Sequence, residues 1–118
     1  MDVRFGTSKI HGTGVFACRK FQRGDVVEVC PAVILPDRMV EPGSPLDGIT
    51  YAWGDATCAV ALGYGSLYNH ADRPNAEAVI DVDAQTVTIV AVRGVDEGDE
   101  VTVRYVPDPA DLWFSVRG

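Results

Sequence analysis

Short runs of β-branched residues, each bounded by Gly, Pro or Asp, dominate the hydrophobic pattern of this chain. In Thr86-Val87-Thr88-Ile89-Val90-Ala91, Val87, Ile89 and Ala91 alternate with Thr86, Thr88 and Val90, the period of a strand with one face toward a core. With Ala78-Val79-Ile80-Asp81-Val82 and a turn near Asp83-Ala84-Gln85, this run predicts a hairpin. Further strands are expected at Val26-Val27-Glu28-Val29, after the turn Gln22-Arg23-Gly24-Asp25, and at Val33-Ile34-Leu35, bounded by Pro31 and Pro36. Another is expected at Val101-Thr102-Val103-Arg104-Tyr105, after Asp96-Glu97-Gly98-Asp99. From Asp37 to Gly48 two prolines, two glycines and no periodicity predict a surface loop with room for one short helix. Helix is otherwise expected only over Ser66 to Asn69 and in a turn at Pro109 to Phe114, with Asp108 as its N-cap. The pattern is that of a β-rich domain.

Composition narrows the function classes. The 118 residues suit one domain, and 47% apolar residues exclude a disordered chain. No apolar run has the ~18 residues of a membrane span, and the first residues carry neither the basic nor the apolar part of a signal peptide. A cytoplasmic protein is the expectation, or one reaching a host nucleus if it is viral or a delivered effector. A formal charge of −7 with scattered basic residues argues against direct nucleic-acid binding; such a surface either steers a basic protein or peptide or serves solubility alone. Cys18, Cys30 and Cys58 have neither disulfide-framework nor zinc-site spacing, so no metal is expected and all three read as reduced core thiols.

Three motifs bear on chemistry. Gly12-Thr13-Gly14 precedes the apolar strand Val15-Phe16-Ala17; it lacks the third glycine and the helix of a dinucleotide fingerprint. Asn69-His70-Ala71-Asp72-Arg73-Pro74-Asn75 joins a polar pair to a Pro-Asn turn. Gly98-Asp99-Glu100-Val101-Thr102-Val103-Arg104-Tyr105 is an acidic turn followed by a strand ending in tyrosine. In this order and filling the chain from about residue 3 to 107, they resemble the SET-domain family, especially its small stand-alone members of viral or bacterial type.

The resemblance implies a mainly β fold, several short β-sheets around a threaded, pseudoknot-like C-terminal segment, over residues 1–118. It implies a protein-lysine N-methyltransferase that uses S-adenosylmethionine and no metal, acting on a lysine in a basic, histone-like tail. A catalytically silent module that binds peptide or cofactor is the alternative. Cofactor contacts would come from Gly12, Thr13, Gly14, Tyr51, Asn69, His70 and Trp113, with the His70 backbone rather than its ring engaged. Tyr51, Tyr64, Tyr68, Val103, Tyr105 and Phe114 would line a lysine channel, to which Trp53 could also contribute, and Tyr105 would be its catalytic residue. Ala71-Asp72 departs from the family's Ser-Cys, and Val103 replaces a common aromatic, which leaves the number of methyls open. The cysteine-rich zinc cluster that often follows the domain is absent, so the segment 108–118 or a second copy in a homodimer is expected to cover the site.

Such a reaction needs a neutral amine. A lysine of pKa ~10.4 at pH 7 must lose its proton at a cost of roughly 4.6 kcal/mol. An apolar, aromatic channel lowers that pKa by desolvation, and a neighbouring sulfonium lowers it by repulsion. No strong general base is then required, in keeping with the lack of a matched His or carboxylate beside Tyr105.

Overall fold

β-Branched and alternating segments form strands here because each can bury one pleated face while its backbone is satisfied by neighbours. The computed structural model describes residues 2–107; the segment 108–118, with Trp113, Phe114 and the turn expected there, lies outside the described residues. Nine strands follow in chain order: β1 Val3–Thr7, β2 Thr13–Ala17, β3 Val26–Pro36, β4 Thr50–Ala52, β5 Thr57–Ala61, β6 Asn69–His70, β7 Ala76–Asp81, β8 Thr86–Ala91 and β9 Glu100–Val106. They make short sheets joined through shared strands, in the order β1-β2-β9-β7-β8-β3-β5-β4, with β6 beside β9.

The core lies under β2, β7, β8 and β9. Val15, Phe21, Val87, Ile89, Val95, Val101 and Val103 are buried almost completely, each such side chain contributing ~1.5–3 kcal/mol. The alternation in β8 matches expectation: Val87, Ile89 and Ala91 face this core, while Val90 packs with Val79 and Val106 in a second cluster.

The feature that positions the site is a crossing. β9 pairs in parallel with β6 (Asn69 with Thr102, His70 with Val103) and with β7 (Ala76 with Val103). The chain between His70 and Ala76 therefore passes over β9, which is threaded beneath it. Asn75 locks the crossing as a surrogate strand residue: Thr102 N–H donates to its Oδ1 at 2.9 Å and its Nδ2 donates to the Glu100 carbonyl at 2.8 Å. From outside, the Arg93 guanidinium donates to the carbonyls of Pro74 at 2.6 Å and Arg73 at 3.0 Å.

Four expectations need correction. The two short strands on either side of Pro31 are one strand of 11 residues, β3. Pro31 is tolerated because it sits where β3 leaves β8 (last pair Pro31 with Thr86) and joins β5 (first pair Ala32 with Ala61), so its missing N–H costs no ladder bond. Ser66 to Asn69 is not helical: residues 62–67 are turns and Asn69 enters β6, because pairing with β9 overrides weak local helix preference. The 37–48 loop holds two single-turn 3-10 helices, Asp37–Met39 and Asp47–Ile49. Finally, Cys30 and Cys58 are buried free thiols but Cys18 is exposed, since it follows β2 in the turn toward Lys20.

Candidate active site

Along β9 the side chains of Val101, Val103 and Tyr105 share one face by strand alternation. The first two are buried in the core, whereas Tyr105 passes its edge and is 38% exposed. Its ring packs against Tyr51 at 4.6 Å and edge-on against His70 at 4.5 Å between centroids. Burial raises its hydroxyl pKa above the ordinary tyrosine value, so it is a neutral phenol at physiological pH.

Neighbouring tyrosines differ from it in one respect. The Tyr51 hydroxyl donates to the Gly65 carbonyl at 2.8 Å, and the Tyr68 hydroxyl donates to Glu28 Oε1 at 2.7 Å. Burial pushes both pKa values well up, and the Glu28 carboxylate adds to this at Tyr68. The Tyr105 hydroxyl has no hydrogen-bond partner among the described residues. Of the three tyrosines that line the larger cleft, Tyr51, Tyr68 and Tyr105, it is the one whose hydroxyl has no partner among the described residues.

Glu28 organises the segment leading to β6. Its Oε2 accepts the Tyr64 N–H at 3.0 Å while Oε1 holds Tyr68. Beside it the Cys30 thiol is pushed up to about 12, chiefly by burial and then by Glu28, so it stays protonated and unreactive.

Two clefts meet at Tyr105. The larger, about 700 Å³, is lined by Gly12, Thr13, Tyr51, Tyr68, Asn69 and His70, and also by Gly43 to Pro45 and Ile49. The smaller, about 500 Å³, is lined by Asp37, Val40, Asp47, Thr50 and Cys58. Tyr105 borders both.

Asn69 anchors the larger cleft. Its Nδ2 donates to the carbonyls of His11 at 2.9 Å and Thr13 at 3.3 Å, and to Glu100 Oε2 at 3.0 Å. With acceptors on every side of the nitrogen, the amide can face only one way, and Oδ1 is the atom free to meet a ligand. The two glycines of the turn serve different purposes. Gly12 adopts φ +48° with open space around it, a backbone that favours glycine, whereas a Cβ on Gly14 would stand 2.5 Å from Glu100 Oε2.

Of the residues expected in the site, Gly12, Thr13, Tyr51, Tyr68, Asn69, His70 and Tyr105 come together in one cleft. Gly14 lies beneath it, against Glu100. Tyr64 does not line it: its ring packs edge-on against Phe5 at 5.7 Å. Neither does Val103, which is buried in the core and paired across the strand with His70 and Ala76. Trp113 and Phe114 lie outside the described residues. His70 corrects the expectation that no histidine stands beside Tyr105, although its contact is ring to ring. Sequence reasoning gave no role to Glu28 or Glu100. The available signals were an isolated acid in the apolar run Val26 to Cys30, and an acid at the first position of a strand.

The sequence and the fold both have relatives among known proteins. The family model of the SET domain matches residues 12–106. A Schizosaccharomyces pombe histone-lysine N-methyltransferase specific for H3 lysine-37 is 26% identical over 106 residues, 87% of this chain and 70% of that protein. The crystal structure of a Plasmodium falciparum protein proposed to be a histone methyltransferase superposes with a TM-score of 0.73 at 27% identity, covering 95% of this chain and 96% of that one. The methyltransferase domain of human PR domain-containing protein 2 shares the fold alone, with a TM-score of 0.65 at 13% identity over 92% of this chain and 79% of that one. The threaded β9, the Asn69 cleft and the family match over residues 12–106 lead to one conclusion: this chain belongs to the SET-domain family, with histone-lysine methyltransferases among its relatives.

Proposed function

We propose that this protein is an S-adenosylmethionine-dependent protein-lysine N-methyltransferase formed by a single domain, with Tyr105 as its catalytic residue. The observation that carries the reading is the Tyr105 hydroxyl, without a partner among the described residues, at the junction of two clefts and beside two tyrosines whose hydroxyls are engaged.

The larger cleft suits the cofactor in size, since sites for such ligands run from about 300 to 1,000 Å³. It suits it in chemistry too: the Asn69 carbonyl oxygen is an acceptor for an ammonium, and the Gly12-Thr13 turn lets backbone come close. When bound, S-adenosylmethionine supplies a methyl on a sulfonium; transfer forms a lysine C–N bond, breaks the C–S bond and leaves S-adenosylhomocysteine. The protein's part is to take an amine in neutral form and hold it in line. The Tyr51 and Tyr105 rings replace water along part of the wall and so disfavour the ammonium by desolvation, and the proton leaves to water before transfer. Tyr105 Oη, neutral and without a partner among the described residues, offers lone pairs to the reacting groups, including weak C–H···O contacts.

A lysine in a basic, histone-like segment fits the second cleft, which has Asp37 and Asp47 on its rim, and the charge of −7. The relatives named as histone methyltransferases support the same substrate class.

Asn69→Ala tests the cofactor assignment. It should weaken S-adenosylmethionine by ~1–3 kcal/mol, the scale for leaving a polar partner unpaired, while circular dichroism keeps its β signature. Unchanged affinity by calorimetry would remove Asn69 from the site.

A further inference from the structure

The Glu100 carboxylate is not part of the larger cleft, yet it touches what shapes it. Its Oε2 accepts from Asn69 Nδ2 at 3.0 Å and its Oε1 accepts from Ser8 Oγ at 2.7 Å. The direction of the second bond is fixed. Ser8 Oγ already accepts from the N–H groups of Ile10 at 2.9 Å and His11 at 3.2 Å, so its single hydrogen must go to Glu100. The carboxylate is thus an acceptor at both oxygens, and both donors belong to elements that frame the cleft.

From this we infer that Glu100 is a positioning residue: by accepting from Asn69 it holds the amide with Nδ2 inward and Oδ1 toward the ligand, and so sets the cleft's preference for an ammonium. The inference rests on the cofactor reading proposed above and adds to it the source of Asn69's polarity. Other anchors for Nδ2 are backbone carbonyls, which are fixed by the fold. Glu100 is the side chain that a single substitution can reverse.

Glu100→Gln keeps size and shape but can accept at only one end. If its oxygen stays with Ser8, its NH₂ meets the Asn69 NH₂, and the donors oppose each other. Turning Asn69 around would relieve that clash but would point Oδ1 at the carbonyls of His11 and Thr13. In both arrangements the acceptor facing the ammonium is lost or misplaced. The remaining one, with the Gln oxygen on Asn69, sets its NH₂ against Ser8 Oγ, which already accepts from the N–H groups of Ile10 and His11. A direct contact of Glu100 with the ligand predicts a different result, because its effect would not need Asn69.

The test is a double-mutant cycle read as S-adenosylhomocysteine affinity by calorimetry on the full chain, in wild type, Glu100→Gln, Asn69→Ala and the double variant. Ligand-free thermal unfolding run in parallel gives the folded fraction, so affinity is expressed per folded molecule. Glu100→Gln is expected to weaken binding roughly tenfold or more. In the Asn69→Ala background the same change should cost less than about twofold, the margin within which independent effects add. Equal losses in both backgrounds, or wild-type affinity for Glu100→Gln alone, would overturn the positioning role and leave the functional reading standing. If the wild type itself fails to bind S-adenosylhomocysteine, the functional reading falls and the inference with it.

Discussion

Tyr105→Phe is expected to lower methyl transfer ~10²-fold or more while leaving stability and cofactor affinity close to wild type. The magnitude follows from losing a positioned polar contact in the transition state, worth about 2.7–4 kcal/mol at comparable sites. Stability should hardly change, since the hydroxyl bonds to nothing among the described residues and the ring, with its contacts to Tyr51 and His70, is retained. Tyr51→Phe and Tyr68→Phe are the contrasting variants. Each loses a buried hydrogen bond, to Gly65 and Glu28 respectively, and each should lose stability, typically about 1 kcal/mol.

The pH dependence separates two roles for Tyr105. Burial raises its pKa above its ordinary 10, so the phenol is protonated throughout the neutral range and cannot be the group that titrates there. A rate that climbs with pH and levels off below ~10.4 then reports the substrate lysine, whose pKa an apolar channel lowers. Tyr105→Phe should lower such a limb without moving it. Disappearance of the limb in the Phe variant would instead identify Tyr105 as the base.

The second large effect is on folding. Asn75→Ala is expected to cost about 2–4 kcal/mol, because Thr102 N–H loses its acceptor and the Glu100 carbonyl loses a donor in a buried crossing. That is a large part of the ~5–15 kcal/mol by which domains are stable. It should show as a lower urea midpoint with an unchanged m-value. A shift equivalent to less than about 0.5 kcal/mol, the range of ordinary surface changes, would mean the crossing is held by backbone pairing and the Arg93 clamp alone.

Much of this was legible in the sequence where the cause is local. Alternation in Thr86 to Ala91 placed Val87, Ile89 and Ala91 on the core, and the resemblance of three ordered motifs to the SET family brought Gly12, Asn69 and Tyr105 together. What escaped has causes distant along the chain. Ser8 meets Glu100 across 92 positions and Tyr68 meets Glu28 across 40, and no local period encodes either. Pro31 looked like a strand end because its missing N–H is visible, whereas the change of partner that excuses it is not. Tyr64 and Val103 look as suitable for a channel as Tyr51 does. Only packing sends one to Phe5, another into the core and the third to Tyr105.

The measurement that reaches furthest is mass spectrometry of lysine-containing basic proteins and peptides incubated with S-adenosylmethionine and this protein. Wild type is predicted to add ~14 Da increments, one per methyl replacing hydrogen, to a lysine side chain, faster as pH rises toward the lysine's lowered pKa. S-adenosylhomocysteine should accumulate in equal amount, and Tyr105→Phe should suppress both. Tight binding of cofactor or peptide with no mass gain on any lysine, across a broad panel of histones and other basic proteins, would contradict catalysis and indicate a binding module instead.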